Sequence, residues 1–179
     1  MIITISGKPG SGKTTLAKSL AKKLGYKHYS TGDLMREIAE DRGMTLLELS
    51  KVAENDHSVD KALDERQIQL GKEEDRFVID GRLAFHFIPK SVKIFCDIDI
   101  DVASQRVFDD QRKREIENIS LSATKKAMKR RIISEETRFE KYYGLDIYDL
   151  KHYDLVIDTT DTQHDEVLEK VISFIEKLS

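Results

Sequence analysis

Residues Gly7-Lys8-Pro9-Gly10-Ser11-Gly12-Lys13-Thr14 fit the pattern G-x-x-x-x-G-K-[ST] at every fixed position. They follow an apolar, β-branched run and open a helical stripe. Holding a polyphosphate requires several consecutive backbone N–H groups to point into one concavity, which needs glycine wherever a Cβ would block the chain or the ligand. The helix that follows adds free N–H groups and the positive end of its dipole. Lys13 brings a movable charge to the β- and γ-phosphates, and the Thr14 hydroxyl suits Mg²⁺. The expected ligand is ATP with Mg²⁺, held by Gly7, Lys8, Pro9, Gly10, Ser11, Gly12, Lys13, Thr14 and the adjoining Thr15. Kinases, GTPases and ATP-driven machines share such a loop. No N-K-x-D or T-K-x-D sequence is present to read guanine, and 179 residues leave no room for switch segments or accessory domains.

Two further groupings suit an anionic acceptor. Ser30-Thr31-Gly32-Asp33-Leu34-Met35-Arg36 follows the second expected strand and opens a helix. Thr31 can donate to a phosphate while capping that helix, and Arg36, one turn on, can fork onto the same anion. The same residues also read as a plain N-cap turn. Asp80-Gly81-Arg82 stands at the C-terminal end of an F-V-I run, where open α/β sheets place ligand-binding groups. Asp80 can hold Mg²⁺ there, directly or through water, with Arg82 pointing into the same crevice. The alternative is an Asp-Gly turn with a surface arginine. Residues 106–141 carry eleven Lys/Arg against seven Asp/Glu, a local +4 in a chain of formal charge −3. That footprint is too small for a nucleic-acid polymer. It reads either as a surface for a small polyanion or as a solvated helix face laced with ion pairs.

These side chains need a frame. Strand and helix patterns alternate along the chain, which predicts an α/β fold with a mostly parallel sheet. Strands are expected at 1–6, 27–30, 76–79, 92–98 and 155–157. Leu16, Leu20 and Leu24 mark a first helix closed by Gly25, and a second spans 32–41. After a break at Gly43, the capping box Thr45-x-x-Glu48 opens a mostly polar helical segment reaching about Gly71. Its apolar positions are widely spaced, so it is read as an exposed excursion rather than core. Asp99 and Asp101 are N-cap candidates for a helix to about 110, and a long helix runs from about Ser122 to Tyr143 before Gly144. A terminal helix carries the stripe Val167, Leu168, Val171, Ile172 and Ile175.

The length fits one domain, 1–179. Charged residues make up 35%, implying a densely charged surface. The single cysteine, Cys96, excludes a disulfide framework and a cysteine zinc site, and its apolar strand makes it a small core residue. His28, His57, His86, His152 and His164 contain no i,i+4 pair and are expected to have no metal or catalytic role. Tyr142 and Tyr143 are expected to pack at a helix end. No apolar run approaches about 18 residues and no signal-like segment opens the chain, so a cytoplasmic protein without a membrane partner is expected.

The phosphate loop, S-T-G-D-L-M-R and D-G-R occur in the order and approximate spacing of nucleoside monophosphate kinases. The run Ile79-Asp80-Gly81-Arg82 through Pro89 to Val92-Lys93-Ile94-Phe95-Cys96-Asp97 resembles cytidylate kinases, as do R-F-E-K-Y-Y-G-L-D-I-Y-D-L and Y-D-L-V-I-D-T. The short chain is similar to the archaeal type, and the resemblance covers essentially its whole length. It implies a three-layer P-loop α/β/α fold with a five-stranded parallel sheet of order 2-3-1-4-5. The core would comprise 1–30, 74–111 and 142–179, with a helical monophosphate-binding region at about 31–73. A mobile lid at about 112–141 would bring arginines lying between Arg106 and Arg138. The implied reaction is ATP + (d)CMP ⇌ ADP + (d)CDP with Mg²⁺, catalysed by a monomer acting on small molecules. Lys13, Arg112, Arg131 and Arg138 would act on the transferring group; Thr31, Arg36 and Arg82 would hold the monophosphate; Thr14 and Asp80 would hold the metal. Many bacterial cytidylate kinases have Asp after D-G-R where this chain has Leu83, so base recognition must come from elsewhere. Adenylate kinases carry F-P-R after the D-G, and this chain does not. The competing readings are another small-molecule kinase of the adenylate, uridylate or shikimate kind, and an ATP-hydrolysing binding module.

Overall fold

The computed structural model describes residues 1–44, 46–53, 56–109 and 120–178. Five strands, β1 (Ile2–Gly7), β2 (Lys27–Ser30), β3 (Phe77–Asp80), β4 (Val92–Asp97) and β5 (Leu155–Asp158), form one parallel sheet of order β2-β3-β1-β4-β5. This is the order the resemblance implied. β3 is buried throughout and β1 is buried from Ile3 onward, which fits their mainly apolar, β-branched make-up. The helices are α1 (Lys13–Leu24), α2 (Thr31–Asp41), α3 (Leu46–Ala53), α4 (Ser58–Glu73), α5 (Ala84–Phe87), α6 (Ile100–Asp109), α7 (Leu121–Tyr143) and α8 (His164–Glu176). Parallel neighbours cannot be joined by hairpins, so α1 to α7 serve as the crossovers and α8 follows the last strand. Among the described residues no helix is long and apolar enough to cross a membrane.

The chain divides into two compact units, Met1–Ser6 with Ala17–Lys93, and Gly7–Leu16 with Ile94–Ser179. In the first, Leu34, Phe77, Ile79, Ala84 and Ile88 form one core, with Tyr29, Leu63 and Leu70 packed against it. A second core joins Ile38, Ala39, Leu49 and Val59, backed by Met35, Val52, Ala53, Ala62 and Leu63. The polar segment 45–71 is therefore not an exposed excursion. Each of α2, α3 and α4 offers a thin apolar face, and the three faces close on one another; burying Leu49 and Val59 completely contributes about 1.5–3 kcal/mol each. The segment also breaks into two helices, and Thr45 of the expected capping box lies outside the described residues. The cap of α2 is Ser30, whose Oγ accepts from the Gly32 N–H at 3.2 Å. Thr31 is the first helical residue and does not cap, because only the residue before the helix has the extended backbone that turns its side chain back onto the free N–H groups. The short α5, four residues long, has no sequence signal strong enough to predict it.

In the second unit Asp99, not Asp101, caps α6: its Oδ1 accepts from the N–H groups of Asp101 at 2.8 Å and Val102 at 3.2 Å. Ser120 caps α7 through the Ala123 N–H, and Gly144 ends that helix in the left-handed conformation at φ 61°. Ile98, Ala103 and Met128 join α6 to α7. Phe95 of β4 packs on Tyr153 and Tyr148, with ring centroids 4.7 and 6.1 Å away, and the Tyr153 hydroxyl donates to the Ile147 carbonyl at 2.7 Å. Val167, Val171, Ile172 and Ile175 are the buried stripe of α8.

Candidate functional site

The phosphate loop lies in the second unit, between β1 and the first turn of α1. A Cβ on Gly7, at φ +152°, would stand 2.3 Å from the Cys96 carbonyl oxygen, and one on Gly10, at φ +78°, 2.9 Å from that of Ala103. Only glycine lets the loop turn this closely against the end of β4 and the start of α6. The Lys8 N–H donates to the Cys96 carbonyl at 3.2 Å, and the Thr159 hydroxyl lies within donating distance of the carbonyls of Ser11 (3.2 Å) and Asp97 (2.9 Å). Pro9 and Ser11 are buried, Lys13 and Thr14 are half-buried, and Gly12 and Thr15 are exposed. The Lys8 ammonium pairs with Asp97 at 2.6 Å, a partner not foreseen from the sequence. Burial pushes the Cys96 thiol up to about 12 against the opposing pull of the Lys13 charge, so the cysteine is inert core, as expected.

Beside the loop, Ser11, Gly12, Leu16, Arg106, Val167 and the turn 159–164 line a cavity of about 450 Å³, within the usual size range of a ligand pocket. Arg106, expected among the lid arginines, instead donates through Nη2 to the carbonyls of Thr159 at 2.7 Å and Thr160 at 3.0 Å. Thr160 in turn holds Asp158 below the ordinary carboxylate range through hydrogen bonds from its side chain and backbone. The turn went unrecognised in the sequence. Its one signal is that T-T-D-T-Q-H follows β5 at the strand's C-terminal end, where parallel sheets collect ligand groups.

The first unit brings the two acceptor motifs together. Ser30 and Asp80 are paired at the ends of β2 and β3, and Gly81 lies so close to α2 that a Cβ on it would be 2.3 Å from Thr31 Cγ2. The Gly81 N–H donates to the Ile5 carbonyl at 3.1 Å and its carbonyl accepts from Ser6 Oγ at 2.9 Å. Asp80 is buried, with His28 Nε2 donating to its Oδ1 at 2.8 Å and Ser30 Oγ 3.4 Å from its Oδ2. His28, expected to have no metal or catalytic role, orients the carboxylate, a positioning part not foreseen; the signal was its position two residues before Ser30 on the same face of β2. Arg36 pairs with Asp33 one turn away, and both are exposed. Arg82 is half-buried.

Of the arginines expected in the lid, Arg112 lies outside the described residues. Arg131 donates through Nε to Glu135 at 3.0 Å, an ion pair along α7. Arg138 stacks its guanidinium 5.0 Å from the centre of the Phe139 ring, and its buried Nε has no hydrogen-bond partner. Tyr143 packs against Phe139 at the helix end, while Tyr142 is exposed beneath Lys141.

Against known proteins, residues 2–161 match the model of the cytidylate kinase-like family. The chain is 41% identical over 160 residues to the cytidylate kinase of Methanocella arvoryzae, covering 89% of this chain and 88% of that one. It is 38% identical over 183 residues to the cytidylate kinase of Methanocaldococcus jannaschii, covering 99% of each. Among solved structures, the shikimate kinase of Bacteroides thetaiotaomicron superposes with a TM-score of 0.69 at 14% identity over 98% of both chains, a likeness of fold.

Proposed function

The chain belongs to the cytidylate kinase-like family, a family of kinases, and we propose that it transfers the terminal phosphoryl group of ATP, with Mg²⁺, to cytidine and deoxycytidine monophosphate. The observation that carries this reading is the gathering of Asp80, Gly81 and Thr31 at one end of β2 and β3, in a chain that also holds a complete phosphate loop. A hydrolase needs only the loop; a kinase needs a second anion site as well.

The residues fit the groups the reaction requires. The loop presents Gly7 and Gly10, whose Cβ positions are filled by neighbouring backbone, and among the described residues the buried Ser11 Oγ has no hydrogen-bond partner beside the cavity, which suits a polar guest. The loop amides and Lys13 hold the triphosphate, Gly7 to Thr15 forming its cradle, and Arg106 with the threonine-rich turn borders the base. Thr14 in the loop of the second unit, and separately Asp80 in the first, are each a hard oxygen donor of the kind magnesium takes, and His28 and Ser30 keep the Asp80 carboxylate oriented. Magnesium, when bound, neutralises charge on the β- and γ-phosphate oxygens. Thr31, Arg36 and Arg82 grip the acceptor phosphate, which attacks as an oxyanion and needs no strong base. Arg112 and Arg138 are the proposed source of positive charge for the transferring group, a role that contributes on the order of 10³–10⁵ in rate, whereas Arg131, expected to share it, is held by Glu135.

The test is an ADP-release assay with CMP, dCMP, UMP, AMP and shikimate as acceptors. The expected result is fast turnover with CMP and dCMP and little ADP without an acceptor. ADP formation independent of acceptor would refute the reading.

A further inference from the structure

We propose that the face of α4 carrying Asp60, Asp64 and Gln67 reads the acceptor base, with the Gln67 amide selecting the amino-bearing cytosine over the keto-bearing uracil. The inference rests on the monophosphate-kinase reading and names the base-contacting residues which that reading leaves open.

The three positions are spaced i, i+4, i+7 and share one face of the helix. The next residue of that row, Gly71, would set a Cβ 3.0 Å from Ile88, immediately after α5. The row therefore turns toward the short segment that follows Asp80-Gly81-Arg82. A different face of α4, with Val59, Ala62 and Leu63, packs into the core shared with α2 and α3.

Gln67 is 1% exposed, yet its Oε1 has no hydrogen-bond partner. Buried amide oxygens are nearly always satisfied, so an orphan marks a position where something is missing. The amide cannot simply turn over. Its Nε2 donates to the Leu63 carbonyl at 3.3 Å, and a flip would set Oε1 against that carbonyl, acceptor to acceptor. The helix backbone thereby fixes the side chain with its oxygen presented. The rest of the row has the same polarity. Asp64 is a buried carboxylate, and the buried Asp60 Oδ2 has no hydrogen bond among the described residues, with His57 Nδ1 3.7 Å away.

Two unsatisfied acceptor oxygens, Gln67 Oε1 and Asp60 Oδ2, call for a guest that donates. The exocyclic amine at C4 of cytosine is such a donor, whereas uracil places a carbonyl oxygen there and would meet the row with lone pairs opposed. A site built around a polar contact rejects the analogue that lacks it far more strongly than an apolar pocket rejects a misfit, because its own buried group is then left unpaired. Gln67 is covered in this state, so a base reaches it only as its cover moves away.

The experiment compares the full-length wild type with Gln67→Leu and Gln67→Glu. It measures kcat/KM for CMP, UMP and the monophosphate of pyrimidin-2-one riboside, which is CMP without its amine, and CMP affinity by calorimetry. Wild type should prefer CMP over both analogues by at least about tenfold. Gln67→Leu should bring the three acceptors within about threefold of one another, the loss falling on CMP in both kcat/KM and affinity, with the KM for ATP within about twofold. Gln67→Glu, as the neutral acid with its hydroxyl donating to the Leu63 carbonyl, keeps an acceptor oxygen and should retain the preference for CMP. If circular dichroism shows Gln67→Leu unfolded, Gln67→Met takes its place with the same expectation. A CMP preference that persists in a folded apolar variant, or a wild type indifferent to loss of the amine, overturns this inference alone. A wild type that phosphorylates no nucleoside monophosphate overturns the kinase reading with it.

Discussion

The contact between Gly81 and Thr31 provides the sharpest test of how the acceptor motifs are assembled. An alanine at 81 would place its Cβ 2.3 Å from Thr31 Cγ2, 2.9 Å from Oγ1 and 3.2 Å from Cβ. The two nearest atoms belong to a β-branched side chain at a helix start, which has few rotamers into which to retreat. Overpacking of this kind costs about 1–3 kcal/mol, and about 2 kcal/mol lowers Tm by about 4–8 °C in a chain of this size. Thr31→Ala removes Cγ2 and Oγ1 and leaves only the 3.2 Å contact. Because Ser30 and not Thr31 caps α2, Thr31→Ala alone should stay within about 0.5 kcal/mol of wild type. The double variant should then recover about 1–2 kcal/mol of the Gly81→Ala loss. Urea unfolding of all four proteins at a common m-value measures the coupling. Gly81→Ala should also raise the KM for CMP, since it displaces a proposed phosphate contact. An additive cycle, or a Gly81→Ala protein as stable as wild type, would mean that the turn does not press on α2 as described.

Further outcomes follow from the arginines and the edge of the sheet. Arg36 is exposed and paired only with the nearby Asp33, so Arg36→Ala should leave Tm nearly unchanged while raising the KM for the monophosphate about 10–100-fold and sparing that for ATP; equal losses for both substrates would contradict the assignment. Arg131 is engaged by the largely buried Glu135, whereas Arg138 has an unsatisfied Nε. Steady-state kinetics should therefore show Arg138→Ala lowering kcat at least about tenfold and Arg131→Ala less than about threefold, with Arg131→Ala the one that loses stability. Glu74 is held below its ordinary value of 4.5, first by the hydrogen bond from Lys27 and then by that from Tyr29. A carboxylate lowered on folding stabilises above its unfolded pKa, and that contribution is lost as pH falls through the folded value. The Tm gap between wild type and Glu74→Gln should accordingly be constant at neutral pH and close as pH drops below 4.5, and a gap indifferent to acid would refute the linkage.

Some of the architecture was plain in the chain itself because the signal was contiguous. The loop from Gly7 to Thr14 needs no distant partner to be recognised, since its glycines, lysine and hydroxyl lie within one turn of backbone. β1 and β3 announced themselves by their apolar runs, and α8 by its stripe. The helices over 45–71 misled because each contributes few apolar residues; only when α2, α3 and α4 meet do Ile38, Leu49 and Val59 form a core. A cap such as Asp99 rather than Asp101 is chosen by backbone geometry that the two identical side chains cannot reveal.

Sequence alone supplied the phosphate-loop motif and the alternation of strands and helices, because a continuous motif and short-range periodicity encode both; the strand order came with the family resemblance. Tertiary structure decided which distant residues finish the sites. Parallel pairing sets His28 against Asp80, 52 positions away, and the folded second unit brings Arg106 to the carbonyl of Thr159, 53 positions on. It also decided that the Gln67 oxygen would be buried without a partner. Hydrogen-bond partners and burial depend on which surfaces meet, and that is a property of the packed chain rather than of any segment of it.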